Sequence, residues 1–88
     1  MQENHQSIRD RLDVCLHTLQ GIDDMRAKSS LWKFYNNLRL TWVALDQELV
    51  NCRRLKKVTP KYTELLAQFD EYEKHFEQWI TMATLIYT

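Results

Sequence analysis

Apolar residues recur along this chain at alternating intervals of three and four positions, in three separate segments. These intervals keep side chains on one face of an α-helix, whereas a β-strand would need an interval of two. Each segment therefore predicts one amphipathic helix. The three apolar stripes are Ile8, Leu12, Cys15, Leu19 and Ile22; then Leu31, Tyr35, Leu38, Trp42, Leu45, Leu49 and Cys52; and finally Tyr62, Leu65, Phe69, Tyr72, Phe76, Trp79, Ala83 and Ile86.

Capping residues place the connections between these helices. Thr59 followed by Pro60 predicts the start of the third helix, because threonine caps free backbone N–H groups and proline suits the first helical position. The break between the first and second helices is predicted within residues 23–30, with Ser29 or Ser30 as the cap. The first helix is predicted to start at Ser7, as a capping box with Asp10, or earlier, near Glu3.

Three helices of about 25 residues, each about 37 Å long, pack with neighbours antiparallel when their connections are short. We therefore predict a single all-α domain over residues 1–88, an elongated antiparallel up-down-up three-helix bundle with coiled-coil-like heptad packing. The alternative is an assembly in which helices from two chains complete one core. The predicted core includes Leu12, Leu38, Trp42, Leu45, Phe69 and Phe76.

The composition agrees with a helical domain and narrows the function classes. One glycine and one proline in 88 residues exclude a sandwich or barrel of many short strands, which needs more turns. Lys+Arg and Asp+Glu balance at 12 each, so no long-range field draws the chain to nucleic acid or to an acidic membrane. The polar start, with no apolar signal segment after it, favours a cytoplasmic protein.

Cys15 and Cys52 both lie on the predicted apolar stripes. We predict that both are buried, reduced and slow to react, as free cysteines of cytoplasmic proteins are. A disulfide between them is the alternative, because the second helix runs back towards the start of the first. That bond would need the two Cα atoms to lie within about 7 Å.

The chain carries no motif for catalysis, for a cofactor or for a metal. It has no HExxH, no CxxC and no glycine-rich phosphate loop. His75 has Glu71 one turn away, but the neighbouring glutamates alternate around the helix instead of sharing its face. We therefore predict a protein that is not an enzyme and uses neither cofactor nor metal.

Five basic residues lie around the end of the second helix, where cations stabilise the helix macrodipole. This cluster, which we name the basic pole, consists of Arg53, Arg54, Lys56, Lys57 and Lys61. Its members are candidate anion-binding residues. They carry the alternative function, a small nucleic-acid-binding or regulatory protein that uses the connection between the second and third helices.

Apolar residues outside the three stripes say most about function, because rows of outward apolar residues mark contact surfaces. On the second helix, an outer stripe opposite the core face consists of Leu40, Val43 and Val50. The up-down-up order also brings apolar side chains together at one end of the bundle. This apolar pole consists of Trp32, Phe34, Met82, Leu85 and Tyr87, with Met25 and Trp79 beside them. The alternative is that the pole is a wide part of the core.

These surfaces predict a non-enzymatic protein–protein interaction module, a small adaptor, inhibitor or accessory factor with a regulatory role. We expect it to self-associate as a homodimer, because two-fold pairing is the commonest closed arrangement. The predicted partner is a protein, with a second copy of the chain as the first candidate. Nucleic acid is disfavoured and no membrane contact is expected.

Overall fold

A computed structural model describes the backbone over residues 5–87 and the side chains over residues 6–82. It contains three helices: α1 (His5–Gln20), α2 (Met25–Leu55) and α3 (Pro60–Tyr87). Residues 5–87 contain no β-strand. The all-α prediction is therefore confirmed. None of the described helices is long and apolar enough to cross a membrane.

The two longer helices exceed the expected 25 residues, α2 with 31 and α3 with 28, whereas the described part of α1 has 16. Helix α2 is longer than expected because it begins earlier than predicted. Its N-cap is Asp24, whose carboxylate accepts hydrogen bonds from the backbone N–H groups of Arg26 and Ala27, both at 3.0 Å. The predicted caps Ser29 and Ser30 lie inside α2, so that prediction was wrong. An aspartate at this position satisfies two free amides and places a negative charge at the positive end of the helix.

The predicted capping box at the start of α1 is also absent. Ser7 lies within the helix, and the Asp10 carboxylate accepts from the side-chain amide of Gln6 at 3.1 Å instead. The alternative start near Glu3 lies outside the described residues. At the other end, α1 finishes at Gln20, and the N–H of the following Gly21 donates to the carbonyl of His17 at 3.1 Å.

The predicted start of α3 is confirmed at Thr59 and Pro60. The Thr59 hydroxyl oxygen accepts from the backbone N–H of Tyr62 at 3.2 Å, as an N-cap does. The same hydroxyl donates to the carboxylate of Glu48 in α2 at 2.6 Å. Both Thr59 and Glu48 are buried. One side chain therefore caps α3 and joins it to α2.

The end of α2 is closed by a left-handed residue, Lys56, with φ of 58°. Its N–H donates to the carbonyl of Arg53, and the N–H of Lys57 donates to the carbonyl of Cys52 at 3.1 Å. This pair of bonds is a Schellman motif, which satisfies carbonyls that the helix leaves free. Lysine takes the position that glycine fills most often.

The predicted apolar stripes supply one buried cluster with residues from all three helices, whereas Trp79 of the third stripe is 38% exposed. Leu12, Leu38, Leu45, Phe69 and Phe76 are buried as predicted, while Trp42 is half-buried at the edge of the cluster. The fully or nearly fully buried members are Ile8, Leu12, Cys15, Leu19, Leu31, Tyr35, Leu38, Leu45, Cys52, Tyr62, Phe69 and Phe76. Ala83 and Ile86 have side chains outside the described residues.

Side chains of α1 contact both longer helices. The guanidinium of Arg9 lies 5.0 Å from the centre of the Trp42 ring in α2, a cation–π contact. The guanidinium of Arg11 donates from Nε to both carboxylate oxygens of Glu73 in α3, at 3.2 and 3.1 Å, and from Nη2 to Asp70 at 2.6 Å. Two arginines two positions apart, and therefore about 200° apart around the helix, thus fasten α1 to two different helices.

The molecule measures 49 × 20 × 17 Å along its principal axes. A helix of 31 residues is about 46 Å long, so α2 alone accounts for most of the length. The 16 described residues of α1 span about 24 Å, which is about half the length of α2.

Both cysteines are buried and free, as predicted, and no disulfide joins them. Cys15 lies near Glu73 and Glu77 of α3, whereas the Sγ atom of Cys52 lies 3.6 Å from the Thr59 hydroxyl at the start of that helix. The two thiols are therefore at different heights of the molecule. Burial, with a smaller contribution from the two glutamates, raises the pKa of Cys15 to about 12.

We expect both thiols to react slowly with a disulfide reagent in the native protein and rapidly in urea. The thiolate is the reacting species, and a pKa of about 12 leaves very little thiolate on Cys15 at neutral pH. Because the unfolded thiol has the ordinary pKa of 9.0, the fold loses stability as the pH rises from 9.0 towards about 12. Stopped-flow labelling measures the rates; rapid reaction of both thiols in the native protein would contradict their burial.

Candidate protein-binding surface

The outer stripe of α2 lies at the surface. Leu40, Val43 and Val50 have 59%, 36% and 64% of their area exposed. Intervals of three and seven keep them on one side of the helix, and the exposed Asn36 and Gln47 continue the same line. The opposite side of α2 supplies the buried stripe. Three aliphatic side chains in a row are therefore in contact with water on a helix whose core face is already filled.

The apolar pole divides into packed and exposed side chains. Phe34 is half-buried against the core, and its ring centre lies 5.6 Å from that of Trp79. Trp32 meets Tyr35 edge to face at 5.4 Å and keeps 39% of its area exposed. Met82 is 49% exposed. The side chains of Leu85 and Tyr87, also predicted for this pole, lie outside the described residues.

A second row on α2, which the sequence reasoning did not single out, runs beside the outer stripe. Trp32, Arg39, Asp46 and Arg53 are spaced by seven residues and are all exposed. A spacing of seven is nearly two helical turns, so all four lie on the same flank of the outer stripe. The opposite flank carries no charge, since its members are Asn37, Ala44 and Asn51. The interval of seven was the signal that could have revealed this flanking row.

Other exposed apolar side chains were not predicted either. Val14 on α1 is 64% exposed and Met25 at the start of α2 is 72% exposed. Leu55 and Val58, both 45% exposed, lie beside the basic pole. Single residues of this kind are normal on protein surfaces. They form no row comparable to the outer stripe.

All five members of the basic pole are exposed. Arg54 donates to the side-chain carbonyl of Asn51 at 2.8 Å, and Lys56 occupies the left-handed position described above. The buried Glu48 carboxylate lies nearby but accepts from Thr59 inside the molecule. The pole therefore presents positive charge at the carboxyl end of α2, where the helix macrodipole is negative.

Residues with possible acid, base or metal-binding chemistry are dispersed. Nε2 of His75 lies 3.3 Å from a carboxylate oxygen of Glu71, and both side chains are exposed. Over the described part of the chain, no three His, Cys, Asp or Glu side chains come together to hold a metal ion.

Comparisons with protein-family models, with curated proteins and with solved structures found no match to this chain.

Proposed function

We propose that this chain is a non-enzymatic protein–protein interaction module that self-associates. The observation that carries the proposal is the outer stripe, in which Leu40, Val43 and Val50 remain exposed although α2 has a complete core face on its other side. A contact that covers these three side chains would remove apolar surface from water at no cost to the existing core. A second copy of the chain supplies such a surface without any further component.

We propose in addition that the three helices form an up-down-up bundle with heptad packing of the coiled-coil type. The contact of Arg9 with Trp42 supports an antiparallel course of α1 and α2. The contact of Phe34 with Trp79 supports the same course for α2 and α3. Connections of four residues, at 21–24 and 56–59, are of the length that joins antiparallel neighbours.

The biological role that fits such a module is that of a small adaptor, inhibitor or accessory factor with a regulatory task. Two free buried cysteines are usual in proteins of the reducing cytoplasm, which supports a cytoplasmic location. Within this proposal the exposed Met82 remains available for a different protein, since methionine is common at contact surfaces.

Substitution of Val43 with glutamate tests self-association. We expect the unmodified protein to have the mass of a dimer by static light scattering at about 100 μM, and Val43→Glu to be a monomer with unchanged helicity. A charge placed in the middle of the outer stripe would have to be buried without a partner on association. Val14→Glu, an exposed valine of α1, is the matched control and should stay dimeric. A monomeric unmodified protein would reject self-association.

Binding of nucleic acid through the basic pole is the second candidate function. It is favoured by the exposure of all five cations at one end of the molecule. A net charge of zero and the absence of a recognition motif count against it. Sub-micromolar binding to a duplex at physiological salt, lost in the Arg53→Ala/Arg54→Ala variant, would favour this candidate over the first.

A further inference from the structure

We infer that the second copy binds antiparallel along the outer stripe, with Arg39 of each copy paired to Asp46 of the other. This inference rests on the self-association proposed above and adds its direction and register. The two-fold axis passes between Leu40 and Val43, so that Leu40 of one copy faces Val43 of the second copy. The pairing joins two helices whose facing surfaces are already exposed in the monomer.

The apolar and amide positions of the outer face match in this register. Placing Leu40 opposite Val43 of the second copy brings two exposed apolar side chains of each helix to the centre of the seam. The next layer on each side brings Asn36 opposite Gln47 of the second copy, and two amides can each donate and accept a hydrogen bond. Polar layers of this kind fix the register of paired helices.

The flanking row decides the direction of pairing. In an antiparallel pair, a flank meets the same flank of the other helix in reverse order, so Arg39 meets Asp46 and Trp32 meets Arg53. Two ion pairs and two cation–π contacts would form, because each occurs twice about the two-fold axis. In a parallel pair the row would instead face Asn37, Ala44 and Asn51 of the opposite flank, which carry no charge.

The charges also select one antiparallel register over its neighbours. Shifting the pairing by one heptad in one direction sets Asp46 against Asp46 of the second copy, and Arg39 against Arg53. Shifting it in the other direction sets Arg39 against Arg39. Like charges in contact oppose association, so both shifted registers are disfavoured. One antiparallel register therefore satisfies the two central apolar positions, the amide layers and the charged row together. In its outer layers Val50 faces Lys33 of the second copy, whose aliphatic stem can cover it.

A charge-exchange experiment tests this register. The variants Arg39→Asp and Asp46→Arg each replace two attractive contacts with two repulsive ones, and we expect each to dimerise about tenfold more weakly or worse by light scattering. An equimolar mixture of the two variants restores both attractive contacts, because one copy carries two acids and the other two bases. The double variant Arg39→Asp/Asp46→Arg restores both contacts between two copies of the same variant. Both should recover the dimer mass.

Matched controls place the same changes of charge away from the seam. Lys74→Asp and Glu64→Arg alter exposed residues of α3 and should dimerise like the unmodified protein. Circular dichroism of every variant reports whether its helices are intact. A variant that failed to dimerise because it was misfolded would stay misfolded in the mixture. Recovery of the dimer in the mixture therefore shows that a folding defect did not cause the loss in the single variants.

The outcomes separate the two proposals. If the unmodified protein is dimeric and both single variants dimerise as tightly as it does, the antiparallel register is overturned while self-association stands. If the single variants are monomeric and their equimolar mixture stays monomeric, the pairing of Arg39 with Asp46 is overturned. A monomeric unmodified protein overturns the proposed function together with this inference.

Discussion

Replacement of Leu45 with alanine is expected to lower the free energy of unfolding by about 2–5 kcal/mol. Leu45 has no exposed area and lies in the buried cluster to which all three helices contribute. The loss combines the apolar transfer energy of the deleted carbons with the cavity that they leave. Urea unfolding followed by far-ultraviolet circular dichroism measures it, at a protein concentration low enough for the monomer to predominate.

Leu40→Ala is the matched control, because it makes the same chemical change on the same helix at a residue that is 59% exposed. Under the same conditions we expect its effect to stay within about 0.5 kcal/mol. Equal losses in the two variants, or no loss for Leu45→Ala, would remove Leu45 from the core.

Replacement of Thr59 with valine is expected to cost about 2–4 kcal/mol, because one hydroxyl performs two tasks. As the N-cap of α3 it accepts from Tyr62, and as a donor it serves the buried carboxylate of Glu48. Valine preserves the shape of the side chain and removes both hydrogen bonds. Urea unfolding again provides the measurement.

Two comparisons isolate the hydroxyl of Thr59. Thr59→Ser retains it and should lose less than half as much stability, while Thr63→Val changes an exposed threonine of the same helix and should change little. Combining Thr59→Val with Glu48→Met in a double-mutant cycle gives the coupling between the two residues. A coupling near zero would show that the bond across the connection contributes nothing to stability.

The helices and their buried faces could be predicted from the sequence because burial imposes the alternating interval of three and four directly. The start of α2 could not. Asp24, Ser29 and Ser30 are all good caps, and nothing local ranks them. The deciding residue is Ala27, which is buried at 4% exposure and extends the α2 stripe by one turn. A single alanine carries too weak an apolar signal to reveal this from the sequence.

The buried polar contact between α2 and α3 was equally hidden. Glu48 follows Thr41 by seven residues on the edge of the core stripe, and a glutamate at such an edge is exposed in most helices. Here it is buried because Thr59 supplies a hydroxyl donor from the opposite side of the connection. That geometry depends on how the chain turns between residues 56 and 59, which the helical pattern does not encode.

The exposure of the outer stripe followed from helical geometry, since Leu40, Val43 and Val50 lie opposite the core face on any straight helix. The apolar pole did not divide so simply. Phe34 lies at the edge of the core and contacts Trp79, whereas Trp32 lies in the flanking row and is 39% exposed. Two aromatic residues two positions apart differ by about 200° around the helix, so the side chains of neighbouring elements determine which one packs.

A monomer that measures 49 Å along one axis and at most 20 Å across diffuses more slowly than a sphere of its mass of 10.7 kDa. Its radius of gyration is 14.7 Å, against about 12 Å for a compact domain of this length. On gel filtration the monomer therefore elutes early, at the volume of a larger globular protein. A second copy alongside α2 would widen the particle while barely lengthening it, so the dimer would have a rounder shape. The monomer and the dimer consequently elute closer together than two globular proteins whose masses differ twofold. Scattering intensity is therefore the more sensitive measure of association.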